Sequence, residues 1–355
     1  VALLWGTYPA AGLGTPAGLG EGLWRSAAPD SPQAERVLEL PAPSFLVAHP
    51  TLPVLYAACE LPASELVVLD VSRPAAPRIL ARLATGGADA CHLLLAPSGD
   101  AIYVSHYSSG DVAVVRLGAD GLPVDDAPAQ LLGHAGSGPN AARQEGPHAH
   151  SAVLAPGGAH VLVIDLGTDE LRRYRVLDGG LLEAAGIAAT LPPGAGPRHA
   201  AVRGHLLYVS CELDNMLRTL RWDPESATAE VVAQVPSTLA APRSAEPQDA
   251  HVALVPGHAG DMLLVSVRGP DVISVFDVAP EGELTYRGAF DAGHWPRYFA
   301  VLGDRLLVGE ERGHRVRSFA MADVLGLPAE NGIGDVVDLP YEAGDVPSPA
   351  CVVDV

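Results

Sequence analysis

Residues His150–Val176 read HSAVLAPGGAHVLVIDLGTDELRRYRV. Two short apolar runs flank a Gly-rich turn, and a third follows a second polar turn. Strands of four to eight residues broken by Gly, Pro and Asp have this form. Directly upstream, Arg143-Gln144-Glu145-Gly146-Pro147-His148-Ala149-His150 sets a cation, a carboxylate and two imidazoles beside a Gly-Pro turn. Working outward, the layout recurs. First strands are PSFLVAHP from Pro43, CHLLLAPSG from Cys91, HSAVLAPGG from His150, RHAAVRG from Arg198, AHVALVPG from Ala250 and RYFAVLG from Arg297. Second strands are VLYAACE, AIYVSHY, HVLVIDL, LLYVSCE, MLLVSVR and RLLVGEE. A third strand follows each, and often a weaker fourth such as RILARL or AEVVAQV.

This periodicity predicts an all-β chain of four-stranded antiparallel blades. Helical spacing is confined to Met321–Leu327. The ends supply a further blade: Ala2–Tyr8, Gly22–Ser26 and Arg36–Leu40 match second, third and fourth strands, and PSPACVVDV at the C-terminus matches a first strand. Joining them removes exposed sheet edges. The expectation is one seven-bladed β-propeller domain over residues 1–355, closed by pairing of N- and C-terminal strands. The loop AAGLGTPAGLG is expected to face solvent, and it lacks the strand-turn-helix setting of a dinucleotide site. Two long insertions, GADGLPVDDAPAQLLGHAGSGPNAARQEGPHAH and VPSTLAAPRSAEPQDAH, enter first strands and are expected at the rim or floor of a pocket.

The chain has 355 residues, 48% hydrophobic and 18% charged, with 42 acidic and 22 basic residues and a net charge of -20. Every basic residue is Arg, which excludes a lysine Schiff base. Such a charge disfavours nucleic acid and anionic membrane as partners, but local arginines can still hold a small anion. Cysteines 59, 91, 211 and 351 lack C-x-x-C spacing, so neither a disulfide framework nor a zinc knuckle is expected. No basic leader or membrane-length apolar run is present, and a cytoplasmic protein is expected.

The pairs that end the second strands are mostly polar: Cys59-Glu60, His106-Tyr107, Asp165-Leu166, Cys211-Glu212, Val267-Arg268 and Glu310-Glu311. The repeat is expected to gather Glu60, His106, Asp165, Glu212, Arg268 and Glu311 around one central region. First-strand starts add His92, His150, Arg198, His199, Asp249, His251 and Arg297, with His148 just before. The plainer account is that such residues satisfy strand-end amides. The joint supply of base, cation and carboxylate favours a site. No activated nucleophile stands out. Cys59 and Cys211 hold equivalent places, which favours a structural role, and Ser108-Ser109 belong to a turn. His148 and His150 have the spacing of a metal pair, but Arg143, Arg198 and Arg268 nearby favour an anion over a cation.

The chain resembles the lactonase family of seven-bladed propellers that includes bacterial 6-phosphogluconolactonases and fungal carboxymuconate lactonising enzymes. PSFLVAHP, the Gly136–His150 run, Gly196-Pro197-Arg198-His199 with Glu212, ELDN and HWPRYFAV carry the resemblance. It implies His148, Arg198 and Glu212 as catalytic groups and Arg268 as a substrate-binding arginine. Arg143 and His150 fall inside family stretches. The chain departs from the family at Cys59, Cys211, His106 and Val267, where Asn is usual.

The reaction so implied is hydrolysis of 6-phospho-D-glucono-1,5-lactone in the pentose phosphate pathway. His148 is the expected base, Glu212 orients it or the sugar hydroxyls, and Arg198 steadies the oxyanion. Arg268, Arg143 and Arg297 are expected on phosphate, with His150, His199, Glu60, His106 and Asp249 completing the substrate wall. No cofactor or metal is expected, and the protein is expected to be a monomer or weak homo-oligomer. The alternatives are a carboxylated-lactone enzyme, a non-enzymatic interaction platform, and a calcium lactonase built on Asp165, Asp249, Glu60 and Glu212.

Overall fold

The computed structural model describes residues 2–8, 22–257, 260–328 and 334–355. The loop AAGLGTPAGLG lies outside them. Seven antiparallel sheets stand side by side, each with its first strand innermost. The third blade, for example, runs Ala149–Leu154, His160–Asp165, Glu170–Val176 and Leu182–Thr190. The ring closes as the termini predict: Pro349–Asp354 pairs with Leu3–Thr7, followed by Leu23–Ala28 and Ser31–Leu38.

Two details depart from the sequence reading. The sixth blade takes its fourth strand, Tyr341–Asp345, only after a short helix, Met321–Leu325. Between them Val336–Val337 pairs in parallel with Leu284–Asp291, so the fifth blade gains a fifth strand.

Blades cohere because the second strands are buried along almost their whole length. One cluster joins Leu162, Ile164 and Leu171 of the third blade to Leu207, Val209 and Leu220 of the fourth. A repeated polar staple fixes their spacing. Tyr56, Tyr103 and Tyr208 hold the same place in their second strands, and each hydroxyl donates to a glycine carbonyl at the outer turn of the next blade. The acceptors are Gly121 O at 2.8 Å, Gly180 O at 3.0 Å and Gly282 O at 3.1 Å. A Cβ on Gly282, where φ is +96°, would fall 2.0 Å from Leu206 Cδ1, so that turn requires glycine.

Candidate active site

All seven inner strands share one irregularity; in the seventh blade the ladder skips Ala350, between Pro349 and Cys351. Pro43, Ala90, Ala149, Pro197 and Pro296 pair with the last residue of their second strands, and the ladder then skips a residue. The skipped residues are Ser44, Cys91, His150, Arg198 and Arg297. In the fifth blade the slip spans Ala250 and His251, between Asp249 and Val252. A β-bulge re-aims side chains out of the pleat. Here it lets consecutive residues, such as Arg198 and His199, both reach the ring axis.

The upper set opens into a cavity of about 750 Å3. Cys91, His150, Arg198 and Arg297 line it, with Tyr8, Glu60, Tyr107, Glu212, Arg268 and Glu311 from the ends of second strands. Arg143, Glu145 and His148 come from the first insertion, but the second contributes only Gln248. Five arginines and five carboxylates line the wall, so the site is formally balanced within a chain of charge -20.

The lower set closes the axis. Phe45, His92, His199, His251 and Tyr298 form an unbroken ring of aromatic contacts, with centroids 4.3 to 5.9 Å apart. His199 Nδ1 and His251 Nδ1 share a hydrogen bond of 2.9 Å. Burial first, then the Arg198 charge, holds His92 and His251 down to about 3, and the same two influences hold His150 and His199 well below the usual imidazole range. All four are neutral at pH 7.

Glu212 is the hub of the cationic side. It is 3% exposed, accepts a hydrogen bond from Arg143 Nη2 at 2.7 Å, and forms ion pairs with Arg198 Nε at 2.9 Å and Arg268 Nη2 at 2.8 Å. Burial alone would raise its pKa, but Arg268, Arg198 and Arg143 together hold the carboxyl well below the usual range. The guanidiniums have anchors of their own. Arg198 donates to Ala250 O, Arg268 Nη2 to Asp249 O at 2.8 Å, and Arg143 Nη2 to the Tyr107 hydroxyl at 3.2 Å.

His148 is fixed from three sides. Its amide donates to Asp165 Oδ1 at 3.0 Å, its ring stacks on Tyr107 at 4.4 Å, and its Nδ1 lies 2.7 Å from Tyr107 O. A carbonyl can only accept, so Nδ1 carries a hydrogen, which leaves Nε2 as the ring nitrogen that can take up or release a proton. Nε2 is 3.4 Å from Glu145 Oε1, a carboxylate that is largely exposed. Gly167 passes directly beneath: a Cβ there would sit 2.9 Å from His148 Cδ2 and 1.9 Å from Gly146 O. Buried Gln144 pins the insertion, donating to Leu166 O at 2.9 Å and Asp169 Oδ1 at 2.8 Å, which sets Arg143 over the cavity.

Of the residues picked out in the sequence, His148, Arg198, Glu212, Arg143, His150, Arg268, Arg297, Glu60 and Glu311 share this cavity. His106, Asp249 and Asp165 do not line it, and His92, His199 and His251 sit one level down in the aromatic ring, His199 beside a small crevice. His106 is turned between blades, where it meets Thr85 Oγ1 at 2.7 Å and Asp111 Oδ1 at 2.7 Å. Asp249 is in register with Pro197 and Ala149, beneath the wall rather than in it. Asp165, expected at the centre, instead braces the His148 and Thr168 amides. Strand alternation explains all of this: the second residue of each terminal pair faces the axis, so Tyr107 lines the cavity and His106 does not. Nor does Glu212 orient His148, since its ion-pair partners are the three arginines. Residues missed outright include Tyr8, Asp89, Cys91, Tyr107 and Arg312. Counting alternation through each pair would have found Tyr107. Trp295, at φ +63°, carries the Arg312 guanidinium 3.4 Å above its ring.

A family model described as "Lactonase, 7-bladed beta-propeller" matches residues 6–340. The 6-phosphogluconolactonase of Bacillus subtilis (strain 168) is 32% identical over 240 residues, covering 65% of this chain and 66% of that protein. The match therefore spans just under two thirds of the relative's length. A Bacteroides uniformis structure described as a candidate 6-phosphogluconolactonase superposes with a TM-score of 0.82 at 25% identity, covering 99% of this chain and 98% of that one. The Pseudomonas aeruginosa periplasmic gluconolactonase gives 0.79 at 24%, with the same coverage, and shares the fold. Among the described residues, no helix is long and apolar enough to cross a membrane.

Proposed function

The chain belongs to the lactonase family of seven-bladed β-propellers, and on that premise we propose that it hydrolyses 6-phospho-D-glucono-1,5-lactone to the open-chain acid. The observation that carries the reading is an imidazole, its Nδ1 held on a main-chain carbonyl, sharing one cavity with a fan of three guanidiniums. His148 Nε2 takes a proton from water as the water oxygen bonds to the lactone carbonyl carbon. Negative charge that develops on the carbonyl oxygen is stabilised by Arg198. Collapse breaks the bond to the ring oxygen, which receives the proton from His148, and the new carboxylic acid ionises. Glu212 is the wrong group for the base, because three cations stabilise its charged form. Its role in this scheme is to hold Arg143, Arg198 and Arg268 in one orientation. Arg143, at the cavity mouth, and Arg268 are suited to grip the phosphate.

The same guanidinium fan suits a carboxylated lactone, which is the second reading. We place the protein in the cytoplasm as a single catalytic ring, although one protein of this fold is periplasmic. The test is hydrolysis of phosphorylated and unphosphorylated gluconolactone by the purified protein. The phosphorylated lactone should be preferred. His148→Asn should lower turnover by about 10²–10⁴-fold, and Arg198→Ala by about 10²–10³-fold. Hydrolysis no faster than the spontaneous reaction, or full activity in His148→Asn, would overturn the reading.

A further inference from the structure

One turn recurs between the second and third strands of the blades. Its last residue takes a left-handed conformation: Asp169 at φ +59°, Asn215 at +57°, Asp271 at +62° and His314 at +52°. Asp and Asn tolerate that region better than most residues. Three of these side chains brace the entry to the next blade. Asp271 Oδ1 accepts the Trp295 amide at 3.0 Å, and His314 Nδ1 accepts the Ser348 amide at 3.2 Å. Asp169 accepts the Gly194 amide on Oδ2 at 2.7 Å and the Gly196 amide on Oδ1 at 2.8 Å. In the third blade the carboxylate takes a further donor. Gln144 Nε2, from the insertion that carries Arg143 and His148, reaches Asp169 Oδ1 at 2.8 Å. Asp169 is 3% exposed and lies outside the cavity wall.

Both sides of the proposed chemistry meet on this carboxylate. On one side, residues 138–144 wrap the buried Gln144 side chain. Its Oε1 accepts the Asn140 amide at 3.2 Å, and its own carbonyl accepts the Gly138 amide at 2.9 Å. A Cβ on Gly138 would fall 2.4 Å from Gln144 Cδ, so the loop closes tightly on that side chain. On the other side, the Glu212 amide donates to Gly196 O at 2.7 Å, and Arg198 follows Gly196 by two residues. A Cβ on Gly196, at φ +60°, would fall 2.3 Å from Leu213 Cγ, so this turn is pressed against the Glu212 segment. His148 precedes the first strand of the third blade and Arg198 lies in that of the fourth. They belong to different sheets, and no ladder sets their spacing.

We propose that Asp169 is a positioning residue of the active site, fixing the arm that bears Arg143 and His148 against the turn that bears Arg198 and Glu212. This rests on the proposed lactonase site and deepens it. Lying outside the wall, Asp169 acts through Gln144 and through the Gly194 and Gly196 amides. A carboxylate suits the task because it accepts on both oxygens. The amide of Asn would turn one acceptor into a donor facing another N–H. Asp169→Asn therefore breaks the bracket and spares the backbone, since Asn215 holds the same turn position in the fourth blade. Misplacing reacting groups by about 1 Å can cost about 100-fold in rate.

Two readouts separate positioning from plain stability. Hydrogen exchange followed by mass spectrometry needs no turnover. In Asp169→Asn, exchange should quicken by about 10-fold or more in peptides covering residues 138–148 and 194–198, with the distant blades unchanged. Kinetics on the phosphorylated lactone should show kcat lowered by about 10–100-fold. In a His148→Asn background the same change should lower kcat by less than about threefold further, because the imidazole it places is gone. Tyr103→Phe, which removes the outer staple between the second and third blades, should lower the melting temperature and leave kcat unchanged. Should Asp169→Asn fail to fold, Gln144→Met carries the test by stripping only the arm from the carboxylate. Exchange should then quicken in 138–148, stay slow in 194–198, and kcat should fall. Unchanged exchange in both segments, full kcat in the folded variant, or an undiminished loss in the His148→Asn background would overturn the proposal. Faster exchange in both segments, with no lactone hydrolysis by wild type, would instead uphold the bracket and sink the hydrolytic reading.

Discussion

Replacing Glu212 by Gln removes one negative charge and keeps the side-chain volume. In the wild type the carboxylate, 3% exposed, neutralises part of three guanidiniums that approach it at 2.7 to 2.9 Å. In Glu212→Gln the three cations face one another around a neutral amide whose NH2 group donates where an acceptor is needed. Removing one partner of a buried ion pair costs about 3–5 kcal/mol, because the other charge is stranded. Arg143 is partly exposed and can swing into solvent, which sets the expectation at the lower end of that range. Arg198 and Arg268 are buried and bound to main-chain carbonyls of the fifth blade, so they cannot follow it.

For a chain of 355 residues, an unfolding entropy of about 2.1 cal/mol/K per residue makes 1 kcal/mol worth roughly 1.3 °C. The expected fall in melting temperature is therefore about 4–6 °C. Anions give a second reading of the same site. Phosphate at 10 mM should raise the variant's melting temperature more than the wild type's, since three unneutralised arginines make a stronger anion site. Differential scanning fluorimetry with and without phosphate measures both. A variant as stable as wild type, with no added response to phosphate, would refute the hub. Glu212→Asp, which keeps the charge on a shorter stem, should fall between the two.

Other consequences concern pH and the blade staples. The four neutral imidazoles, His92, His150, His199 and His251, have folded pKa values depressed below about 6.5. Their stability is present above that pH and lost as pH falls toward 3, at about 1.4 kcal/mol per pH unit for each group. Urea denaturation between pH 7 and 5 should show uptake of up to about four protons on unfolding, and His251→Phe should remove one; a flat profile would contradict the neutral ring. Asp249 goes the other way. Burial raises it to about 8, so its contribution is full below its ordinary value and is lost as pH climbs through 8. The stability advantage of Asp249→Asn should therefore grow with pH by about 1.4 kcal/mol per unit between pH 4 and 8, and a constant difference would exclude the shift. Tyr56→Phe, Tyr103→Phe and Tyr208→Phe should each cost about 1–2 kcal/mol and combine additively, because they lie in different blades. A triple variant losing under about 1 kcal/mol would show the staples to be incidental.

The ring was legible because its information is local. Strand lengths, turn residues and the recurrence of PSFLVAHP-like starts need no long-range contact, and the terminal strands announced their partner by what each lacked. The sixth blade was harder, since its outer strand, Tyr341–Asp345, follows a helix and a two-residue strand lent to its neighbour. At the site, polarity was read where alternation should have been. His106 and Asp165 are the more polar members of their pairs, yet Tyr107 and Leu166 hold the axial register. Asp249 misleads likewise, because its blade carries Arg268 and Gln248 one step later in the ladder. The Glu212 hub was beyond reach for a different reason. Its arginines lie 69, 14 and 56 positions away in sequence, and the choice of which carboxylate they share depends on two main-chain carbonyls and the Tyr107 hydroxyl.

The bulges also account for how a neutral floor and a charged cavity coexist within one turn of chain. An unbroken pleat would send Arg198 and His199 to opposite faces. The slip in the ladder turns both toward the axis at successive depths, and the same step gives Cys91 over His92 and Arg297 over Tyr298. The lower layer closes the axis with rings that carry no charge at pH 7, so it contributes no opposing field. Charge in the upper layer is then set by the cavity wall, where the guanidiniums of Arg143, Arg198 and Arg268 meet on Glu212 and face Arg297, Arg312, Glu60 and Glu311. Protonating the floor would set imidazolium against the Arg198 guanidinium, and burial of the four histidines keeps that like-charge contact from forming, so the neutral floor and the arginine cluster above it belong to a single arrangement.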